Sequence, residues 1–214
     1  MKGIMLKDLY ENFCIPKHLA AYIFGYCVTI ICTFLSANQY TFILFTGIVF
    51  PILGACAAEY STEEDEKSNF TKLQITFPVT KAQIILAKYL LGLVLISFSL
   101  LIDLIVSLIY ISIFRTITIT EMLKIIGLGV GFALIFLAVS YAGFFLLGKH
   151  WGTIIFLGFA AVLGGAVGLM ISLNHADAVF TCSPLVLLGV LLIGALMTVL
   201  SCLLSIAVFK RRYS

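Results

Sequence analysis

Six long apolar runs dominate the sequence, and each is near or above the length of about 20 residues that a membrane-spanning helix needs. They extend over Leu19–Ala37, Tyr40–Ala58, Tyr89–Phe114, Ile125–Gly148, Thr153–Leu173 and Pro184–Phe209. Because 62% of the residues are hydrophobic and only 11% are charged, the composition lies far from that of a soluble domain. The runs predict an all-α, polytopic membrane protein in which residues 1–214 form a single transmembrane domain with six transmembrane helices.

The basic residues are distributed unevenly between the two sides of this predicted bundle. Eleven of the 13 Lys and Arg residues precede the first run, lie between the second and third, follow the fourth or end the chain, whereas Arg115 and Lys124 fall on the opposite side. Basic residues in short loops mark the cytoplasmic side. We therefore expect a multi-pass protein of a bacterial plasma membrane with both termini cytoplasmic. The basic edge suits membrane lipid and not nucleic acid.

The segment before the first run has the pattern of an amphipathic helix. Met5, Leu6, Leu9 and Phe13 recur at helical spacing, whereas Lys2, Lys7, Asp8, Glu11 and Asn12 cover the other side and Pro16 supplies a stop. This pattern predicts an interfacial helix within residues 1–16, with its apolar stripe in the acyl boundary. Such a helix is either a simple anchor or a lever that contacts a cytoplasmic partner.

The connection between the second and third runs, residues 59–88, is the largest polar piece of the chain. It opens with an acidic stretch from Glu59 to Glu66, which is typical of a solvated loop, and continues through an amphipathic stretch from Phe70 to Phe77. Pro78 then predicts a turn, and Thr80 with Gln83 fits a capping box that begins a new helix. We expect a short helix, a proline turn, and a third span whose cytoplasmic end projects beyond the bilayer.

The sequence FPVTKAQIILAKYLLG, from Phe77 to Gly92, resembles the element that follows the second span in type-2 ABC transporter permeases. The matching residues are Phe77, Pro78, Val79, Thr80, Lys81, Ile84, Ala87, Lys88, Tyr89 and Leu90. The N-terminal Leu6, Lys7 and Asp8, the acidic loop that begins at Glu59, and the six predicted spans are also similar to that family. The resemblance therefore covers essentially the whole chain.

This resemblance implies a transport subunit, and not an enzyme, in an ATP-driven exporter. ATP and Mg would be bound by a separate ABC ATPase subunit, so no cofactor is expected in this chain, and a second copy of the chain or a similar permease would complete the membrane part. A coupling helix between spans two and three would lie in a groove of the ATPase. Carried over by position it is Phe70 to Val79, with these expected coupling residues: Phe70, Leu73, Ile75, Phe77, Pro78, Val79 and Glu59. The expected cargo is amphipathic or hydrophobic, with a peptide or toxin favoured over a drug or lipid.

The residues themselves give little sign of a nucleotide or metal site. Gly143, Gly148 and Lys149 satisfy GxxxxGK, but His150 stands where Ser or Thr should bind magnesium, and the intervening residues end an apolar run. His175 and Asp177 are two potential metal ligands without a third nearby, which is more typical of a solvated loop. We therefore expect neither site.

Asp103 is the ionisable residue placed well inside a predicted span. A carboxylate at that depth costs about 2.5 to 3.5 kcal/mol on insertion scales, so Asp103 should face protein or water, protonated or bonded to a hydroxyl group. It is either a point on the translocation path or an interhelical hydrogen bond that fixes packing. An ion-coupled secondary carrier that uses Asp103 is the alternative function, whereas an intramembrane enzyme would need a catalytic partner that Asp103 lacks.

Small residues recur every fourth position on two of the predicted spans. Gly127 and Gly131 lie on the fourth, and Ala160, Gly164 and Gly168 lie on the fifth. Such stripes allow helices to approach closely. We expect both to pack within one subunit, with a dimer seam as the second interpretation.

Overall fold

The computed structural model describes residues 2–36, 38–56, 60–61, 64–65, 67–68, 70–74, 79–172 and 183–212. The regular structure of these residues is helical, as the sequence predicts. The helices are α1 (Lys2–Phe13), α2 (Pro16–Ser36), α3 (Gln39–Leu44), a π-helical turn (Phe45–Val49, the π segment), α4 (Phe50–Ala55), α5 (Phe70–Gln74), α6 (Lys81–Phe114), α7 (Ile119–Leu147), α8 (Lys149–Ser172) and α9 (Pro184–Arg212).

Five of these helices, α2, α6, α7, α8 and α9, are long and apolar enough to cross a bilayer. The second predicted span, Tyr40–Ala58, corresponds to the continuous Gln39–Ala55 helix made of α3, the π segment and α4. Its 17 residues would reach about 26 Å at 1.5 Å per residue, which is shorter than a hydrocarbon core of about 30 Å. The six-span count is therefore not confirmed by helix length, and residues 57–59 lie outside the described residues.

Contacts at both ends of α6 fix the directions of the first helices. At its start, Lys88 pairs with Asp8 of α1; near its end, Tyr110 lies 6.2 Å from Phe34 of α2 and 4.9 Å from Phe42 of α3 between ring centroids. The Gln39–Ala55 helix then returns along α6, because a Cβ atom on Gly54 would lie 2.7 Å from the Cα atom of Ile96. Hence α2 and α6 run parallel, and the helix between them runs the opposite way.

The C-terminal helix α9 ends beside the start of α6. Ser201 and Ser205 of α9 lie 2.6 and 3.1 Å from the Tyr89 hydroxyl, and Ser201 donates to the carbonyl oxygen of Ala138 on α7. The chain ends described by α1 and α9 therefore lie at the same end of the bundle, which we call the terminal end.

The small-residue prediction is confirmed on α7 and wrong for most of the stripe on α8. Gly131 of α7 allows close contact with α9, since a Cβ atom there would lie 2.5 Å from a side-chain carbon of Val190. Ala160 of α8 packs partly against the core, but a Cβ atom on Gly164 or Gly168 would meet nothing within 4 Å. In the described part of the chain, those two glycines face open space because α8 packs mainly through its first half.

The start of α6 is built as the sequence predicts. The Thr80 hydroxyl accepts from the Gln83 N–H, and the Gln83 side chain accepts from the Thr80 N–H, which completes the capping box. The helix has 34 residues and so a length of about 51 Å, well beyond the hydrocarbon core. The helix is therefore longer than one crossing needs, and its first turns contact α1 and the 59–88 connection.

Helix α1 also forms, but its buried face differs from the prediction. Leu6 is 68% exposed and Leu9 is 41% exposed, which suits a lipid-facing stripe, whereas Asp8 and Asn12 are fully buried. The sequence pattern placed those two residues on the solvated face. The reason is tertiary, because polar groups supplied by α2, α6 and the 59–88 connection cover that face.

Candidate functional site

The expected coupling residues lie partly within the described chain. Phe70 and Leu73 belong to the five-residue helix α5, and the Leu73 side chain is 54% exposed. Val79 is half-buried and packs against the main hydrophobic core just before α6 begins. The remaining four, Glu59, Ile75, Phe77 and Pro78, lie outside the described residues.

A buried ion-pair cluster joins three separate elements at the terminal end of the bundle. Lys88, about two turns into α6, is 5% exposed, and its ammonium nitrogen lies 2.7 Å from Asp65 Oδ2 and 3.2 Å from Asp8 Oδ2. It also donates to the hydroxyl group of Ser61 over 2.8 Å. Thus one lysine binds α1 and the 59–88 connection to the same point on α6.

A second lysine, Lys7 on α1, links this cluster to the expected coupling segment. Its ammonium group donates to Asp65, lies 2.9 Å from Glu11 Oε1 and 3.3 Å from Asp8 Oδ1. The same nitrogen lies 4.2 Å from the centroid of the Phe70 ring in α5, within the range of a cation–π contact. Lys7 therefore contacts both the buried cluster and the short helix of the 59–88 connection.

The charges of the cluster alter the acidity of its carboxyl groups. Burial alone would raise the pKa of Asp65, but the positive charges of Lys88 and Lys7 outweigh it and hold that pKa below its ordinary value. Burial raises the pKa of Glu11, and the hydrogen bond and charge of Lys7 only partly oppose this effect. At neutral pH Asp65 is therefore a carboxylate fixed between two ammonium groups.

The oxygen ligands of this cluster also have the spacing of a metal site. One carboxylate oxygen from each of Asp8, Glu11 and Asp65 lies within 4.8 Å of the others. The ammonium groups of Lys7 and Lys88 lie among these oxygens and balance most of their charge. The arrangement is thus a buried ion-pair network that joins α1, α6 and the 59–88 connection.

A second polar group attaches the start of α2 to the same connection. The buried His18 ring lies 4.5 Å from the Tyr60 ring between centroids, and its Nε2 atom lies 3.3 Å from Glu64 Oε1. Hydrogen bonds from Lys67 and His18 lower the pKa of Glu64. The Tyr22 hydroxyl donates to the Asn12 side chain, so α1 and α2 are also joined directly.

Asp103 lies apart from this cluster, on the face of α6 that meets the π segment. It is fully buried; the Ser107 hydroxyl donates to its Oδ1 atom over 3.4 Å, and the Thr46 hydroxyl lies 3.4 Å from that of Ser107. The side chain therefore faces protein and not lipid, as the sequence predicts for a polar group at that depth. Its role in transport stays a prediction.

Sequence reasoning missed the pairing of Lys88 with Asp65 and Asp8. Lys88 was assigned to the family motif and to the basic edge, and Asp65 to a solvated acidic run. A signal did exist, because Asp8 and Asn12 are four residues apart and so share one face of α1. A polar stripe of that kind is compatible with either water or a buried partner, and only the folded chain distinguishes them.

The GxxxxGK match has no phosphate-binding geometry. Gly143 lies inside α7, which continues to Leu147, and α8 begins directly after Gly148. Phosphate loops need free backbone N–H groups in a turn between a strand and a helix.

Comparison with known proteins gives one match. The profile of a family described as ABC-2 family transporter protein matches residues 3–210, which is nearly the whole chain. No curated protein and no solved structure matches.

Proposed function

The chain belongs to the ABC-2 transporter family and is thus a multi-pass membrane permease, a transport subunit and not a catalytic one; from this premise we propose how it is coupled to ATP. The chain works with a separate ABC ATPase subunit that binds ATP and Mg. The segment Phe70 to Val79 contacts that subunit, and the buried cluster transmits its motion to α1 and α6.

One observation carries this proposal: Lys7 contacts the Phe70 ring and Asp65 at once, and Asp65 is held by Lys88 of α6. A displacement of α5 would therefore act on α1 through Lys7 and on α6 through Asp65. The Asp65–Lys88 pair is short and buried, and the Lys7 ammonium group is partly buried, so these links resist stretching better than a flexible loop would. The exposed Leu73 side chain on α5 supplies an apolar contact for the partner.

We further propose six membrane crossings with both termini in the cytoplasm. The direction of the Gln39–Ala55 helix, opposite to α2 and α6, supports a second crossing even though that helix is short. The positions of α1 and the end of α9 at the same end of the bundle support an even number of crossings. The 11 basic residues assigned to that side support a cytoplasmic location for it.

The transport direction and cargo belong to the same proposal. The family resemblance implies export, and the low charge of the spans favours an amphipathic or hydrophobic cargo, a peptide or toxin before a drug or lipid. A second copy of the chain, or a similar permease, completes the path. The open space over Gly164 and Gly168 on α8 leaves room for close approach of another helix.

The proposal is tested by co-purification and ATP hydrolysis in lipid. The chain is tagged, co-expressed with the ABC ATPase subunit proposed as its partner, and purified through its own tag. Leu73→Asp should reduce the amount of bound ATPase, because a carboxylate replaces an apolar contact. Ser68→Asp is the matched control, since Ser68 is an exposed residue of the same connection and adds the same charge outside α5.

A second pair of variants separates coupling from binding. Lys7→Met should leave the ATPase bound but reduce cargo-dependent stimulation of ATP hydrolysis, because the link between Phe70 and Asp65 is lost. Lys2→Met on the exposed side of α1 is its control and should behave like the wild type. Failure of any ATPase to co-purify, or equal effects of Leu73→Asp and Ser68→Asp, would contradict the proposed coupling surface.

A further inference from the structure

The interface between α6 and the Gln39–Ala55 helix contains a line of polar side chains at membrane depth. Ser99, Asp103 and Ser107 are spaced by four residues, so they share one face of α6, and all three are fully buried. Ser99 donates to the carbonyl oxygen of Phe50, and Ser107 lies 3.4 Å from the Thr46 hydroxyl. Asp103 is the one ionisable member of this line.

The backbone opposite Asp103 is irregular. Thr46 lies in the π segment. Pro51, in the first turn of α4, has no N–H to donate to the preceding turn. The carbonyl oxygens of Thr46 and Gly47 are close to Gly129 of α7, where a Cβ atom would lie 3.2 and 3.1 Å from them. Single π-helical turns of this kind are frequent at functional sites.

The hydrogen-bond donors around Asp103 are too few for a carboxylate. An ionised carboxyl group has about four acceptor positions, and buried carboxylates are normally paired with a cation or several donors. Here Oδ1 receives the long bond from Ser107, whose hydroxyl group lies 3.4 Å from that of Thr46, and Oδ2 has no hydrogen-bond partner in the described part of the chain.

No described Lys, Arg or His residue forms an ion pair with Asp103. The titratable groups that border the same polar line are tyrosines: Tyr26 of α2, whose ring lies 6.2 Å from the Phe50 ring between centroids, and Tyr110 of α6, which packs on Phe42. A tyrosine side chain carries no positive charge in either of its protonation states. The described parts of α2, α4, α7 and the π segment thus offer Asp103 no counter-ion.

We propose that Asp103 is a proton-binding site: its carboxyl group holds a proton while α6 is packed against the π segment, and releases it to water when the two separate. The second part rests on the proposed function, because ATP-driven repacking of the helices is what would separate them. The hydroxyl groups of Thr46 and Ser107 orient the protonated carboxyl group, and the irregular backbone lets the contact open and close without breaking a regular helix.

Infrared spectroscopy of the full chain in lipid nanodiscs tests the first part without an ATPase. A protonated carboxyl group has a carbonyl stretching band that a carboxylate lacks. Carbon-13 labelling of the four aspartates shifts their bands and distinguishes them from Glu11, the glutamate whose pKa burial raises. We expect a labelled band at neutral pH that disappears in Asp103→Asn and remains in Ser97→Ala, a control on the exposed side of α6.

Absence of an Asp103-dependent band overturns the proposal. A sodium ion bound in place of the proton would give this result, since the carboxyl group would then be ionised. The second part is tested in the complex with its ATPase. Trapping with ATP and vanadate should weaken the band, and an unchanged band in a complex that hydrolyses ATP overturns proton release. If no ATPase binds, the resting band still decides whether Asp103 holds a proton, so the two proposals fail separately.

Discussion

Replacing Lys88 by Met is the most direct test of the buried cluster. The Met side chain keeps much of the apolar volume of Lys but removes the ammonium group that lies 2.7 Å from Asp65 and 3.2 Å from Asp8. Asp8 is fully buried when α1 is docked and would gain water if α1 undocked. The substitution should therefore favour the undocked state of α1.

The structure sets the size of this effect. Removal of one partner of a buried ion pair costs about 3 to 5 kcal/mol, because the remaining charge is left without compensation. Lys7 still contacts both Asp8 and Asp65 in the variant, so we expect the lower end of that range. About 3 kcal/mol corresponds to an increase of roughly 100- to 200-fold in the undocked population of α1.

Hydrogen exchange measured by mass spectrometry in lipid nanodiscs reports this population. Amide hydrogens of Lys2–Phe13 exchange when α1 opens locally, so their exchange should accelerate by about two orders of magnitude in Lys88→Met. Adding Asp65→Asn should recover part of the protection, since the two substitutions together remove both charges of one ion pair. Amides in the middle of α7 serve as an internal reference.

Lys67→Met is the matched control. The Lys67 side chain is 51% exposed and lies 2.8 Å from Glu64, so loss of this surface pair should change stability by about 0 to 1 kcal/mol. Exchange of α1 that rises less than tenfold in Lys88→Met, or no more than in Lys67→Met, would refute the argument that the cluster holds α1 on α6.

Three further predictions concern stability. The pKa of Asp65 is held below its ordinary value of 3.8, so its ion pairs persist at neutral pH. Thermal stability should therefore fall only below about pH 4, and this fall should be smaller in Asp65→Asn. Gly54→Ala should destabilise the protein by about 3 kcal/mol in detergent unfolding, because the added Cβ atom would lie 2.7 Å from the Cα atom of Ile96. Gly158→Ala is the control: its Cβ atom would meet nothing within 4 Å, so stability should change by less than about 1 kcal/mol. Tyr89→Phe should cost about 1 to 2 kcal/mol in the same assay, through loss of its hydroxyl contacts with Ser201 and Ser205.

Part of the candidate site was predicted from the sequence, and there is a physical reason why the rest was not. The start of α6 was predicted because the capping box of Thr80 and Gln83 is local chemistry four residues long. The positions of Phe70 and Leu73 on a short helix were also predicted from the amphipathic pattern. The burial of Asp65 was not, since an acidic stretch in a loop reads as solvated unless its distant partners are known.

The sequence by itself determined the membrane class, the helical character and the approximate C-terminal ends of the long helices, whereas α6, α7 and α8 begin earlier than the apolar runs predict. A bilayer demands long apolar helices with satisfied backbone hydrogen bonds, and both properties are local, so they are written in consecutive residues. The tertiary structure alone decided which polar groups are buried together. Asp8 and Lys88 are 80 residues apart in the chain, and their pairing exists only after α1, α6 and the 59–88 connection have packed, because burial raises the cost of a lone charge until a partner from another element removes it.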